Sequence, residues 1–112
     1  MKLNEIINSC ALTVATTKPE IDCEVSGGYA GDLLSDVMAN ARDGYIWVTI
    51  QTHINIVAVA VLKNLSGIIL VNGRAPDEQT LAKAEEEGVP IMTTPLTSFE
   101  IVGRLYRLGV KG

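Results

Sequence analysis

The side chains in this sequence that could do chemistry sit in short polar gaps between apolar segments. The only histidine, His53, lies in "WVTIQTHINIVAVAVL", with Gln51, Thr52 and Asn55 around it. On one side is an apolar, β-branched run, and on the other a nearly polar-free one. A histidine held by a carboxylate could pass protons near neutral pH. Asp32 or Ser35 would have to be its partner, and no spacing in the sequence joins either to it. A lone histidine at a helix start more often serves as a hydrogen-bonding scaffold, so the chain is read as non-enzymatic, with no catalytic residue assigned.

Other chemistries are excluded more simply. "SGGYAGD", residues 26–32, has three glycines in seven residues but no G-K-[ST], and no G-x-G-x-x-G occurs anywhere, so neither phosphate-cradling loop is present. Cys10, Cys23 and His53 supply three of the four usual structural zinc ligands and no C-x-x-C pair, so no metal or cofactor is expected.

The bulk numbers set the frame for these groups. With 112 residues the chain makes one domain, and 47% hydrophobic with 20% charged residues is a globular composition. A net charge of −4 and scattered basic residues argue against a nucleic-acid partner, which demands clustered Lys and Arg. The first residues have no apolar core of a signal peptide, so the expected compartment is the cytoplasm with both thiols reduced. The longest apolar stretch, Ile54 to Leu62, is interrupted by Asn55 and falls far short of the ~20 residues that span a bilayer.

Periodicity predicts the elements that position the polar gaps. A first helix is expected over Leu3–Ser9, then a strand at 11–16. A second strand, "IDCEVS", alternates Ile21, Cys23 and Val25 against Asp22 and Glu24. The glycine-rich 26–32 stretch reads as a loop, with Asp32 capping the helix "LLSDVMANA". "YIWVTI" and "GIILV" lack alternation and read as strands buried on both faces. Residues 53–63 carry both strand and helix signals, and their length and alanines favour a helix. Pro76 marks the start of a helix that ends at Gly88, and "VPIMTT" is a strand. Thr97 or Ser98 caps the last helix, "FEIVGRLYRL". The run Glu85-Glu86-Glu87 reads as a solvated helix end. From residue 45 the strand–helix alternation occurs three times over, which defines an α/β domain with a mostly parallel sheet.

In such sheets ligands bind outside the carboxyl ends of the strands, where helix N-termini offer free N–H groups. Four strand-to-helix junctions fall there: 26–32, 51–55, 72–77 and 93–98. The residues expected to face a ligand are Ser26, Gly27, Gly28, Asp32, Gln51, Thr52, His53, Asn55, Asn72, Gly73, Arg74 and Thr94. The competing reading is that they only cap helices and make turns.

Three stretches, "SGGYAGDLLSDVMANA", "WVTIQTHINIVAVAVL" and "IILVNGRAPDEQTLAKAEEEGVPIMTT", together resemble the DRTGG-domain family over about residues 2–110. The fit is best to small stand-alone members, similar to the amino-terminal domain of HPr kinase/phosphorylase, some of them encoded near iron-only hydrogenase and redox-sensing genes. The resemblance implies an α/β domain that regulates or assembles rather than catalyses, with a link to redox or hydrogenase metabolism. The sequence departs from the namesake residues. Gln51-Thr52 or its neighbours stand at the Asp-Arg position, and Val71-Asn72-Gly73 at the Thr-Gly-Gly position.

Three readings follow. The first is a cytoplasmic regulatory or accessory module that senses a small polar or nucleotide-like ligand at the junctions. The second is a ligand-free scaffold or dimerisation domain. The third is a small enzyme using His53 with Asp32. A homodimer is expected from the apolar 54–62 helix and a surplus of aliphatic residues. No nucleic-acid or membrane partner is expected.

Overall fold

The computed structural model describes all 112 residues. In chain order the elements are α1 (Leu3–Ser9), β1 (Thr13–Val14), β2 (Gly27–Ala30), α2 (Leu34–Asn40), β3 (Tyr45–Thr49), α3 (Asn55–Leu62), β4 (Gly67–Leu70), α4 (Glu78–Glu87), β5 (Ile91–Thr93) and α5 (Ser98–Arg107). They build the predicted α/β domain around one five-stranded sheet in the order β1-β5-β4-β3-β2. β2, β3, β4 and β5 run parallel, and only β1 is antiparallel, on β5.

The missing alternation in β3 and β4 has the cause expected of it. Ile46 to Thr49 and all of β4 are buried, because helices cover both faces of the sheet. On one face α1 and α5 pack Leu3, Ile6, Ile101 and Leu105 against Ile46, Val48, Ile69 and Met92. On the other, α2, α3 and α4 bring Val37, Ile56, Val57, Ala60 and Ala84 onto Trp47, Ile68, Leu70 and Ile91. Trp47 is fully buried, and its indole N–H donates to the Gly31 carbonyl at 2.8 Å, so its polar atom is satisfied. Residues 55–62 are helical, as expected. Their buried side, Ile56, Val57, Val59 and Ala60, faces the sheet, and Val61 and Leu62 remain exposed.

The amino-terminal third departs from the sequence expectation. "IDCEVS" is not a strand of the sheet. Its one bridge joins Glu24 to Lys2, and its backbone pairs with residues 1–3 through Leu3 N–H to Cys23 O and Val25 N–H to Met1 O. The 11–16 segment keeps only two strand residues. Conversely, the expected glycine loop holds strand β2. Its glycines are there because neighbours come close. A Cβ on Gly27 would lie 2.5 Å from the Tyr45 ring and 2.6 Å from the Lys111 carbonyl oxygen. Gly28 N–H donates to that same carbonyl, so the carboxyl-terminal residues lie along the outer edge of β2.

The acidic end of α4 is not merely solvated. Lys83 reaches Glu86 and Glu87 at 3.5 and 3.3 Å. The Glu85 carboxylate accepts the backbone N–H groups of Thr17 and Lys18 and the Thr17 hydroxyl, at 2.9 to 3.0 Å. This clasp fastens the turn after β1 to the end of α4. The Lys18 amide first, then the Thr17 amide, holds the Glu85 carboxyl below the ordinary carboxylate value of 4.5. A carboxyl whose value is lowered by folding adds stability above its unfolded value and loses it as pH falls through the folded one. Glu85→Gln should therefore melt below the wild type at pH 7, and the difference should shrink as pH is taken below about 4.5. Thermal melts of both proteins between pH 7 and pH 3 check this.

Candidate functional site

Parallel strands put every strand-to-helix junction at one end of the sheet, and most of the predicted residues meet there. Asp32 follows β2. It does not cap α2, whose N-cap is Leu33 with no side-chain bond. Instead one Asp32 carboxylate oxygen accepts the Thr49 hydroxyl at 2.8 Å and the Ile50 N–H at 2.9 Å. Gln51 donates its side-chain amide to the Asp32 carbonyl at 2.9 Å, and its own N–H donates to the Thr49 hydroxyl oxygen. Thr49 is fully buried. It was not among the predicted residues, although a lone hydroxyl at the end of an apolar strand was a readable signal.

His53 has a carboxylate partner, but not Asp32. Its Nδ1 lies 2.7 Å from Asp77 Oδ2. Asp77 is the N-cap residue of α4 but makes no capping bond with its side chain, which turns to the histidine instead. The two side chains are 71% and 49% exposed, so water competes for both. Beside them the Thr52 carbonyl accepts the Asp77 N–H at 3.2 Å and the Thr80 hydroxyl at 2.7 Å. The β3 and β4 junctions are thereby tied together across α4's first turn. Thr52 does not cap α3, whose N-cap is Ile54, again without a side-chain bond. Asn55 opens that helix and is exposed.

The third junction is a tight turn. Asn72 and Gly73 both have positive φ, +60° and +68°. Their N–H groups donate to the carbonyls of Leu96 and Thr94 at 2.9 and 3.0 Å, pinning the turn to the segment after β5. Buried Thr94 closes its own turn by accepting the Leu96 N–H. Asparagine is the residue other than glycine that best tolerates the left-handed region, so Asn72 fills a glycine-like position.

Ser26 lies apart from these groups. It sits at the amino end of the sheet, where its N–H and hydroxyl bond the carbonyls of Gly44 and Asp43. Gly27 and Gly28 begin the edge strand and serve the packing of the tail rather than a junction. The groups brought together are thus Asp32, Gln51, Thr52, His53 and Asn55 with Asn72, Gly73, Arg74 and Thr94. Many are occupied with one another. Arg74 is an exception, exposed and with no salt bridge or side-chain hydrogen bond.

A mostly parallel sheet between two helical layers, with a polar rim at its carboxyl end, is an α/β architecture in which bound ligands sit outside the carboxyl ends of the strands. The chain belongs to the DRTGG domain family, whose model matches residues 32–108. That span starts at the Asp32 that anchors the rim and includes everything through α5. The fold is similar to the CBS and DRTGG domains of the regulatory region of Clostridium perfringens pyrophosphatase, a structure of that protein complexed with the activator diadenosine tetraphosphate. The TM-score is 0.70 at 15% identity, over 92% of this chain and 45% of that one. The likeness is one of fold, and the present chain spans less than half of that relative. No curated protein sequence matches the chain.

Two outcomes follow from the geometry. Asp32→Ala should lower stability by about 1–3 kcal/mol, because it leaves the buried Thr49 hydroxyl without its acceptor; urea denaturation measures the loss. Asn72→Val should cost on the order of 1–2 kcal/mol for the left-handed backbone, whereas Asn72→Gly should be close to neutral. Paired unfolding curves would distinguish the backbone effect from a lost side-chain bond.

Proposed function

We propose that this chain is a non-catalytic regulatory module that senses a small anionic, nucleotide-like ligand at the carboxyl-end rim. The observation that carries the reading is the Arg74 guanidinium, which has no partner within the chain. It stands in a rim where α3 and α4 both begin without a side-chain cap. Helix N-termini carry partial positive charge, and an arginine binds phosphate oxygens in bidentate fashion, so both features favour the same ligand class. The complex of a pyrophosphatase regulatory region with diadenosine tetraphosphate supports the choice of nucleotides as the class to test. His53 contributes its free ring nitrogen as a hydrogen-bonding group. An enzyme using His53 is disfavoured because its partner Asp77 is half exposed and no hydroxyl or thiol completes a nucleophilic set.

The module is proposed to act as a homodimer in the cytoplasm. Exposed Leu33, Ile54, Val61, Leu62, Phe99 and Tyr106 supply apolar surface for self-association. No helix is long and apolar enough to cross a membrane. A setting in redox or hydrogenase metabolism is proposed from the family resemblance alone.

The test is calorimetry and thermal shift with AMP, ATP and diadenosine tetraphosphate. A ligand at 100 times its dissociation constant should add ~2.7 kcal/mol to the wild type. Arg74→Glu should abolish the shift without changing the melting temperature of the free protein. Silence from the whole panel would favour the second reading, a ligand-free scaffold, which the mutual bonds of Asp32, Thr49, Asp77 and Thr94 also fit.

A further inference from the structure

The outer surface of α5 does not look like the solvent face of an ordinary helix. Its inward side is filled by Ile101 and Leu105, and its outward side consists of Phe99, Glu100, Gly103, Arg104, Tyr106 and Arg107, all exposed. Phe99, the only phenylalanine of the chain, is 88% exposed, and Tyr106 is 55% exposed. Gly103 lies between them, and a Cβ built there would meet nothing within 4 Å. Shallow grooves flank this glycine, one of them about 550 Å³. Glu100, Arg104 and Arg107 form no salt bridge within the chain. Arginine and the aromatic residues are the types enriched at protein interfaces and among their energetic anchors.

The order of these residues is self-complementary. Phe99 and Tyr106 lie about 10 Å apart along the helix at 1.5 Å per residue, with Gly103 near the midpoint. Two copies of α5 crossing antiparallel about a twofold axis at Gly103 bring each Phe99 against Tyr106 and Arg107 of the other copy. The same axis brings each Glu100 beside Arg107 of the other copy, with Arg104 close by. Every unpaired charge type then faces its opposite, and the exposed rings are covered. The bare glycine lets the helix axes approach to about 8 Å, the short end of the usual range. A twofold contact requires one patch to match itself, and this stripe does.

We infer that the outer face of α5 is the twofold interface of a homodimer, its occupant being a second copy of the same helix. This rests on the homodimer reading above and adds the surface. The alternative surface is the apolar α3 face with Val61 and Leu62.

Charge exchange tests the inference. Sedimentation velocity from about 5 to about 500 µM covers the range in which an interface of one helix pair dissociates. The wild type is expected to dimerise from its 12.0 kDa monomer. Glu100→Arg alone and Arg104→Glu/Arg107→Glu alone should each weaken dimerisation at least tenfold, through like charges facing across the axis. An equimolar mixture of the two variants should recover dimers, since each contact then joins opposite charges. Gly103→Leu should separate the helices and give monomer, and Val61→Glu/Leu62→Glu should still dimerise. The substituted positions are exposed, and a far-UV circular dichroism spectrum matching the wild type confirms folding. A wild type that stays monomeric throughout overturns the homodimer reading itself. A wild-type dimer that survives the α5 charge reversals, fails to reform on mixing, or is broken by the α3 variant overturns the α5 assignment and leaves the dimer standing.

Discussion

The structure depends on the burial of two short parallel strands, β3 and β4, on both faces. Nearly every residue in them is inaccessible to water. A strand so placed cannot be joined to its parallel neighbour by a hairpin, so the chain must cross back through a helix each time. Those crossings supply α2, α3 and α4 on one face. The other face is closed by α1 and α5, from the two ends of the chain. The polar rim is a by-product of the same constraint. Parallel strands ending together put their outgoing loops together, and the backbone groups freed there must find partners. Asp32 takes the Ile50 N–H, the Thr52 carbonyl takes the Asp77 N–H, and Thr94 and Leu96 take those of Gly73 and Asn72.

The rim is therefore both frame and candidate site, which explains how its residues divide. Groups low in the junctions, such as Thr49 and Thr94, are buried and spoken for. Groups at the crest, such as Asn55 and Arg74, reach water. His53 belongs to neither set cleanly, since one ring nitrogen holds Asp77 and both side chains remain wet. A carboxylate that pairs with a histidine rather than capping its own helix leaves α4 with free amide donors at its start.

Much of this was legible in the sequence where burial wrote a strong pattern. The non-alternating runs at 45–50 and 67–71, the left-handed Gly88 stop and the Thr97 cap all signal their elements locally, and the structure has each of them within a residue or so. Family resemblance and fold class came through on the same stretches. The amino-terminal third misled because its signals depend on distant partners. The alternation at 21–26 implied a half-covered strand, but of Ile21, Cys23 and Val25 only Val25 is buried and Cys23 is exposed, and the backbone there pairs with residues 1–3 rather than with a sheet neighbour. Gly27-Gly28 looked like a turn because glycine tolerates turns, while the actual demand is the approach of the Tyr45 ring and the Lys111 carbonyl. The partners of Asp32 and His53 were likewise invisible. Residue type suggested a cap or a dyad, but which carboxylate reaches which donor is fixed by three-dimensional register alone.

The seal on β2 bears on how the chain folds. The outer edge of that strand is covered through Gly28 by Lys111, near the opposite end of the sequence. Long-range closure is slow, because loop entropy must be overcome before the contact forms. During synthesis β2 emerges well before Lys111, which covers it. Until then a glycine-rich strand stands with one row of amides and carbonyls unpaired, open to mispairing with another chain. Short length limits that exposure, since β2 has only four residues. The edge strand is thus brief in extent and late in protection.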